Sequence, residues 1–539
     1  MNKVLIKLWI PLLFLNLFFS CDNGSAGTDK PEVAVKPNII FIMSDDHTTQ
    51  AVGAYGSRLA GLNPTPTLDA LAREGALFTN VFCTNSICTP SRGSIMTGQY
   101  SQTNGILTLN DTLPAARQHL PREMSKLGYQ TAMVGKWHLK AEPAAYDYYH
   151  VLESQGKYFD PEFRSSEAGT WPDNFVKYKG HSSDIVTDIS LDWLKTKRKK
   201  DQPFFLMHHY KAPHDDFEFA PRYADYLEDT HIPEPDNLYD QNQPNFGSAA
   251  TRGTNDDLRN RIGTSVSDRH PYRSYTAQYG IDKTPRDSAT SAAYQEYLKR
   301  YLRCVKGVDD NLDRLFTYLK EEGLWENTVI IYTGDQGFML GEHDYMDKRW
   351  MYDESMRMPF IMHYPAGIKA GTESELLVNN TDFAPTMLSL AGGKAPDYMH
   401  GSSFAEHLDG SEPDDWRTAT YYRYWMHLTH HDVPANFGIR TKDYKLIFYY
   451  AQPYKESEVG VGSMWWKDVS YPVGPTPVAW EFYDLRNDPD EINNRYADPD
   501  YKDTINELKN ELKQLRKEFD ETDEDFPRFQ AVIDKYWDA

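Results

Sequence analysis

Four apolar runs of strand length each carry their polar residues at the C-terminal end. "NIIFIM" (38–43) runs into Ser44, Asp45, Asp46 and His47, and "TAMVG" (131–135) into Lys136, Trp137 and His138. "PFFLM" (203–207) is followed by His208 and His209, and "NTVIIYTG" (327–334) by Asp335 and Gln336. A strand that is apolar throughout must be covered on both faces, which is the condition of a parallel sheet whose crossover helices lie on each side. Intervening stretches such as "TLDALAREGA" have helical character. The expected fold is therefore α/β, with a large, mostly parallel sheet sandwiched by helices. In such sheets ligands gather beyond the carboxyl ends of the strands, and there the charged residues collect here.

The rest of the chain divides around that sheet. Residues 22–36, "DNGSAGTDKPEVAVK", read as a flexible tether. Residues 215–290 are polar, aperiodic and punctuated by aromatics, which predicts an insertion on the substrate side. A long helix over 292–320 follows, with Tyr297, Tyr301, Cys304, Val308 and Leu312 as its apolar stripe. From about residue 415 the pattern changes to "TATYYRYW", "FGIRTKDYKLIFYY" and "WEFYDL", then a helix with Ile505, Leu508, Leu512, Leu515 and Phe519 on one face. That predicts a smaller C-terminal antiparallel sheet packed by a helix over 415–539, beside a catalytic domain over 37–414.

A net charge of −22 argues against general nucleic-acid binding, because no basic tract offsets the repulsion of phosphates. An anionic substrate then needs a local cationic cluster, which screening over roughly 8 Å permits. Residues 1–20 carry Lys3 and Lys7 ahead of an apolar run too short for a comfortable span, and read as an export signal. "FFSCDNGS" resembles a bacterial lipoprotein processing site, with Cys21 acylated, so the protein is expected outside the cytoplasm, held to a membrane by its N-terminus alone. Ordinary secretion, with Cys21 incidental, is the alternative. The other cysteines are Cys83, Cys88 and Cys304. Cys83 and Cys304 fit a core, and a Cys83–Cys88 disulfide is conceivable on sequence alone.

"CTPSRGSIMTG" (88–98) places Cys88 in a turn-prone run ahead of a helix, four residues before Arg92. With "NIIFIMSDDH", "GKWHL", "KAPH", "YTGDQGFMLGEHDYMDKRWMYDESMRMP" and "YDLRNDPDEINN", it resembles in order the blocks of the type I, formylglycine-dependent sulfatases of the alkaline phosphatase superfamily. The resemblance implies a mixed sheet of that superfamily's kind. It also implies that a separate maturation enzyme converts Cys88 to formylglycine (3-oxoalanine), whose hydrate is the nucleophile. Asp45, Asp46, Cys88, Asp335 and Gln336 are then expected at a calcium ion, with Gln336 where the family usually has asparagine. By the same resemblance Arg92 and Lys136 bind sulfate, Lys348 contacts its free oxygens, His138 holds the nucleophile, and His214 protonates the leaving alcohol. His208 and His209 are expected to be structural.

Arg423, His427, His430 and His431 crowd one stretch at the start of the small subdomain and are weaker candidates for holding a sulfated sugar. A packed turn between strands is the competing reading. The function expected from the resemblance is hydrolysis of sulfate esters on a polysaccharide, either a glycosaminoglycan or an algal glycan such as ulvan. Phosphonate or phosphate ester hydrolysis on the same fold is one alternative, and a non-catalytic glycan-binding lipoprotein is another.

Overall fold

The computed structural model describes residues 36–251, 279–282, 284–429, 433–454, 462–464, 469–471 and 476–539. The expected signal at 1–20, Cys21, the tether up to residue 35, His430 and His431 lie outside the described residues, as do residues 252–278 of the insertion.

Ten strands make the main sheet. In chain order they are β1 (Asn38–Asp45), β2 (Ala76–Phe78), β3 (Gln130–Gly135), β4 (Tyr148–Leu152), β5 (Glu162–Ser165), β6 (Phe175–Lys177), β7 (Phe204–Pro213), β8 (Thr328–Gly334), β9 (Phe360–His363) and β10 (Thr372–Ser374). Their spatial order is β10, β2, β9, β8, β1, β7, β3, β4, β5, β6. The central run β8, β1, β7, β3, β4 is parallel throughout. The remaining pairings are antiparallel, apart from β10 with β2. This is the mixed, mostly parallel sheet expected.

β1 shows why its sequence is continuously apolar. Ile39, Phe41 and Met43 point into one buried cluster, and Ile40 and Ile42 into the other, across the sheet. The second cluster is closed by the long helix, which begins earlier than expected, at Arg286, and runs to Glu321. Tyr297, Tyr301, Cys304, Val308 and Leu312 are all buried there. Cys83, Cys88 and Cys304 are buried free thiols, so the Cys83–Cys88 disulfide is not formed.

β7 departs from expectation. The apolar pattern ends at Met207, yet the strand continues to Pro213, so His208 and His209 are interior strand residues. Tertiary partners make this possible: His208 Nδ1 lies 2.7 Å from Ser190 Oγ, on the helix Ser182–Asp192 that packs against β7.

Beyond the main sheet, β11 (Ala419–Tyr424), β12 (Asn436–Thr441), β13 (Tyr444–Tyr449) and β14 (Ala479–Asp484) form a four-stranded antiparallel sheet. Phe437, Ile439, Leu446 and Phe448 meet Ile505, Leu508 and Leu512 of the helix Lys502–Glu518 in its core. Among the described residues no helix is long and apolar enough to cross a membrane.

Candidate active site

The parallel register of the central strands brings their carboxyl ends together. Asp45 closes β1, and Asp46 follows at φ 63°, a left-handed conformation that Asp tolerates better than most residues. The Asp46 amide donates to Asp335 Oδ1 at 3.1 Å, just past the end of β8. The next contribution comes from a helix. The turn expected at 89–92 lies instead inside the helix Cys88–Thr97, which has Ile87 at its N-cap. Pro90 fits there because the first-turn amides of a helix have no intrahelical acceptor, so a residue without an N–H loses nothing. Every residue of this helix is buried, and Cys88 stands at its amino end.

Around Cys88 three acids and three cations interleave. Arg92 Nε and Nη2 lie 3.0 and 2.9 Å from Asp335 Oδ2. Arg92 Nη1 donates to the Lys136 carbonyl at 2.6 Å. Lys136 Nζ donates to Asp45 Oδ2 and to Gln155 Oε1. Lys348 Nζ lies 2.6 Å from each oxygen of Asp46. Asp335 is held below the usual carboxylate range: burial alone would raise it, but Arg92, Lys136 and Lys348 together outweigh burial. Asp46 is pushed up to about 7 by burial, which the Lys348 ammonium only partly offsets. Burial also pushes the Cys88 thiol up to about 12, so the unmodified side chain is a protonated thiol rather than a ready nucleophile.

The oxygens of this cluster fit a hard cation. One carboxylate oxygen each from Asp45, Asp46 and Asp335 lie within 4.8 Å of one another. Asp45 Oδ1 and Gln336 Oε1 are buried and accept no hydrogen bond from any described residue. Gln336 Nε2 meanwhile donates to Asp46 Oδ1, which leaves its oxygen available as a ligand. A buried acceptor without a donor is costly, and an all-oxygen set of this kind suits calcium.

Two histidines border the cluster. His138, at φ 55°, has Nδ1 3.4 Å from Thr89 Oγ1. Burial, with Lys136 and Arg92 close by, drives its pKa well below the ordinary value. His214 follows the end of β7 and places Nε2 3.8 Å from Asp46 Oδ2 and Nδ1 2.7 Å from Asp215 Oδ1. One ring nitrogen of His214 lies within 4.8 Å of Cys88 Sγ. Burial, then Lys348 and Lys136, bring it down to about 3 in the free site.

A family model described as sulfatase matches residues 37–393. The N-acetylglucosamine-6-O-sulfatase of Bacteroides thetaiotaomicron is 37% identical over 96% of this chain and 92% of its own length. The chain belongs to the sulfatase family. A second model, described as N-sulphoglucosamine sulphohydrolase, C-terminal, matches residues 341–459 and 454–518. An ulvan-active sulfatase of Formosa agariphila is 26% identical over 98% of this chain and 92% of its own length. A solved structure described as being in complex with its substrate D-glucosamine-2-N,6-O-disulfate superposes with a TM-score of 0.77 at 36% identity, covering 91% of this chain and 100% of its own. The sulfatase is accordingly a sulfuric ester hydrolase of the alkaline phosphatase superfamily.

The weaker sugar-binding candidates of the sulfatase fare differently. Arg423 is not available to a ligand: it is buried, its Nη2 lies 2.6 Å from Asp523 Oδ1, and its guanidinium lies 3.6 Å from the centroid of the Trp425 ring. In β11 it points into the C-terminal core, where a cation must be paired. His427 Nδ1 accepts the Ala435 amide at 3.1 Å, which commits that nitrogen to the turn between β11 and β12.

The sulfatase site also includes residues that the sequence reading passed over. Gln155 reaches Lys136 from the loop after β4. Asp347 and Arg349 flank Lys348 and pair with each other. Asp215 holds His214. His209, expected to be structural, has Nδ1 3.4 Å from Arg92 Nη1. Charged neighbours on either side of Lys348 and just after His214 were a visible signal. Gln155, an uncharged residue in a loop, had none.

Proposed function

We propose that the sulfatase hydrolyses the 6-O-sulfate ester of a glucosamine residue, N-acetylated or N-sulfated, in a glycosaminoglycan-like glycan. The observation that carries this reading is the 37% identity, nearly end to end, to an N-acetylglucosamine-6-O-sulfatase. The solved relative with a glucosamine disulfate as its substrate supports it. The net reaction adds water across the ester, giving the free sugar hydroxyl and inorganic sulfate.

In this reading Cys88 is matured to formylglycine, whose hydrate supplies a hydroxyl nucleophile and a second hydroxyl for releasing sulfate. Asp45, Asp46, Asp335 and Gln336, with the residue at position 88, would hold calcium, which would supply electrostatic stabilisation of developing negative charge. The chain's own groups do the rest. Arg92, Lys136 and Lys348, each paired with one of the acids around Cys88, stabilise negative charge as it spreads over the sulfate oxygens. Burial makes the charges of Arg92 and Lys348 worth more than they would be in water, whereas it pushes the Lys136 ammonium well below its ordinary pKa, with Lys211 adding to the fall and Asp335 opposing it. His138, kept neutral by burial and its cationic neighbours, accepts a proton at a ring nitrogen. His214 donates a proton from Nε2 to the leaving sugar oxygen, since the charge of a bound sulfate ester offsets the lysines that suppress its protonation in the free site. The reading also includes export with acylation at Cys21, which rests on residues 1–21 alone.

The test is sulfate release from N-acetylglucosamine 6-sulfate and its 3-O- and 4-O-sulfated isomers, with the 6-phosphate as the phosphorus counterpart, using matured protein. Turnover of the 6-sulfate above all the others is expected. Preference for the phosphate, or for another sulfated position, would overturn the assignment.

A further inference from the structure

Asp215 is an acidic residue, is only slightly exposed, and directly follows His214. The main chain of His214 is fixed on both sides: its amide donates to the Lys211 carbonyl at 3.1 Å, and its carbonyl accepts from the Tyr158 hydroxyl. Rotation about the side-chain bonds remains to be fixed, and Asp215 does this with two acceptors. Its carboxylate Oδ1 and its main-chain carbonyl each lie 2.7 Å from His214 Nδ1. Two acceptors on one ring nitrogen require that nitrogen to carry hydrogen. Nε2, 3.8 Å from Asp46 Oδ2, then becomes the nitrogen that faces the reacting groups.

We propose that Asp215 is a positioning residue for sulfate ester cleavage, holding the His214 imidazole as its Nδ1–H form so that the proton for the leaving alcohol is carried on Nε2. The inference rests on His214 being the proton donor. As the sulfur–oxygen bond to the sugar breaks, its electron pair stays on the sugar oxygen, which takes the Nε2 proton. Sulfur bonds to the deprotonated oxygen nucleophile at position 88, and His214, a cation while it carried both protons, is left neutral, with Nδ1–H still on Asp215. Without the carboxylate, the main-chain carbonyl alone holds the ring, the proton spends part of its time on the wrong nitrogen, and the ring samples other rotamers. The cost falls on esters whose leaving alcohol needs protonation and spares those whose leaving group departs as a stable phenolate.

Two measurements test it. The first is the 15N spectrum of histidine-labelled, unmatured protein without added metal, with His214→Gln identifying the resonances. Wild type is expected to show a protonated Nδ1 at His214, and Asp215→Ala a shift toward the other tautomer, with Asp215→Asn in between. An unchanged spectrum in Asp215→Ala overturns the proposal whatever His214 does in catalysis. The second compares kcat and KM on a sugar sulfate and on 4-nitrophenyl sulfate. Asp215→Ala should lower kcat about tenfold on the sugar sulfate, change it less than about twofold on the aryl sulfate, and leave KM alone. Equal losses on both esters, or a rise in KM with kcat intact, overturn it in favour of a structural or sugar-binding role. His214→Ala separates the two ideas: a selective loss there but not in Asp215→Ala leaves the acid assignment standing and removes this one, and no selective loss in His214→Ala removes both.

Discussion

Lys348 and Asp46 form a symmetric buried pair, with Nζ 2.6 Å from each carboxylate oxygen. The two residues come from distant parts of the chain, Asp46 just past β1 and Lys348 just past the hairpin at Met339–Asp347. The ammonium thus meets the oxygens fit to hold a cation and lies near enough to Cys88 for its charge to act on that side chain. Replacing it by methionine keeps the volume and removes the charge. Lys348→Met is expected to lower kcat on a sulfate ester by about 10²–10³-fold, the usual loss for one preorganised charge-stabilising group. Steady-state sulfate release checks this, and a loss of only a few fold would place Lys348 outside the clamp.

The acceptors left open at Asp45 Oδ1 and Gln336 Oε1 give a thermal prediction. A ligand that binds only the folded state stabilises it by about 2.7 kcal/mol at a hundred times its Kd. Chelator-treated protein should therefore melt lower and recover on adding calcium, with magnesium less effective because it demands tighter, octahedral geometry. Asp335→Asn should abolish the calcium-dependent rise in Tm. Scanning fluorimetry or calorimetry with each ion decides it, and a Tm indifferent to calcium in wild type would mean that the oxygen cluster holds no such ion.

The sheet and the chemistry at its edge were legible because two periodicities agreed: unbroken apolar runs for doubly covered strands, and charges at one end of each. Asp45, Asp46, Lys136 and Asp335 could be placed at the carboxyl edge of the sheet from that pattern directly, whereas the roles of Lys136, Arg92, Lys348 and His214 came from the family blocks. Less legible was anything decided by tertiary partners. His208 and His209 look like a strand terminus because they are polar, yet inside β7 Ser190 and the Lys136 carbonyl each partner one of their ring nitrogens, Nδ1. Arg423 looks like a ligand-binding cation, and only the fold reveals Asp523, a hundred residues on, as its partner.

That partnership carries its own prediction. Removing one member of a buried ion pair leaves the other charge unpaired and typically costs about 3–5 kcal/mol. Arg516 Nη2 also lies 2.6 Å from Asp523, at Oδ2, so part of the compensation survives and the lower end applies. Arg423→Met should lower stability by about 3 kcal/mol in denaturant titration while leaving KM for a sulfated sugar unchanged. A large rise in KM at unchanged stability would return Arg423 to the substrate pocket.

Asp309 links the folding of the sulfatase to pH. It lies on the long helix and caps another, accepting the amides of Thr67 at 3.1 Å and Leu68 at 3.0 Å in the first turn of Pro66–Glu74. Burial nevertheless pushes its carboxyl up to about 6, against an ordinary value of 3.8, since those two amides and Lys306 offset the desolvation only in part. Between these two values the folded chain binds more protons at this site than the unfolded chain does. The contribution to stability is therefore complete below the unfolded value and is lost as pH rises through the folded one. At 1.36 kcal/mol per pKa unit the whole loss is about 3 kcal/mol. Asp309→Asn keeps one acceptor for the helix amides but cannot titrate. It should be the less stable protein at pH 3.5, below the unfolded value, by about 1 kcal/mol for the lost hydrogen bond, and should close or reverse that gap by pH 7.5. Unfolding of both proteins at the two pH values measures the difference directly, and parallel pH dependence would show that Asp309 keeps its ordinary acidity in the fold.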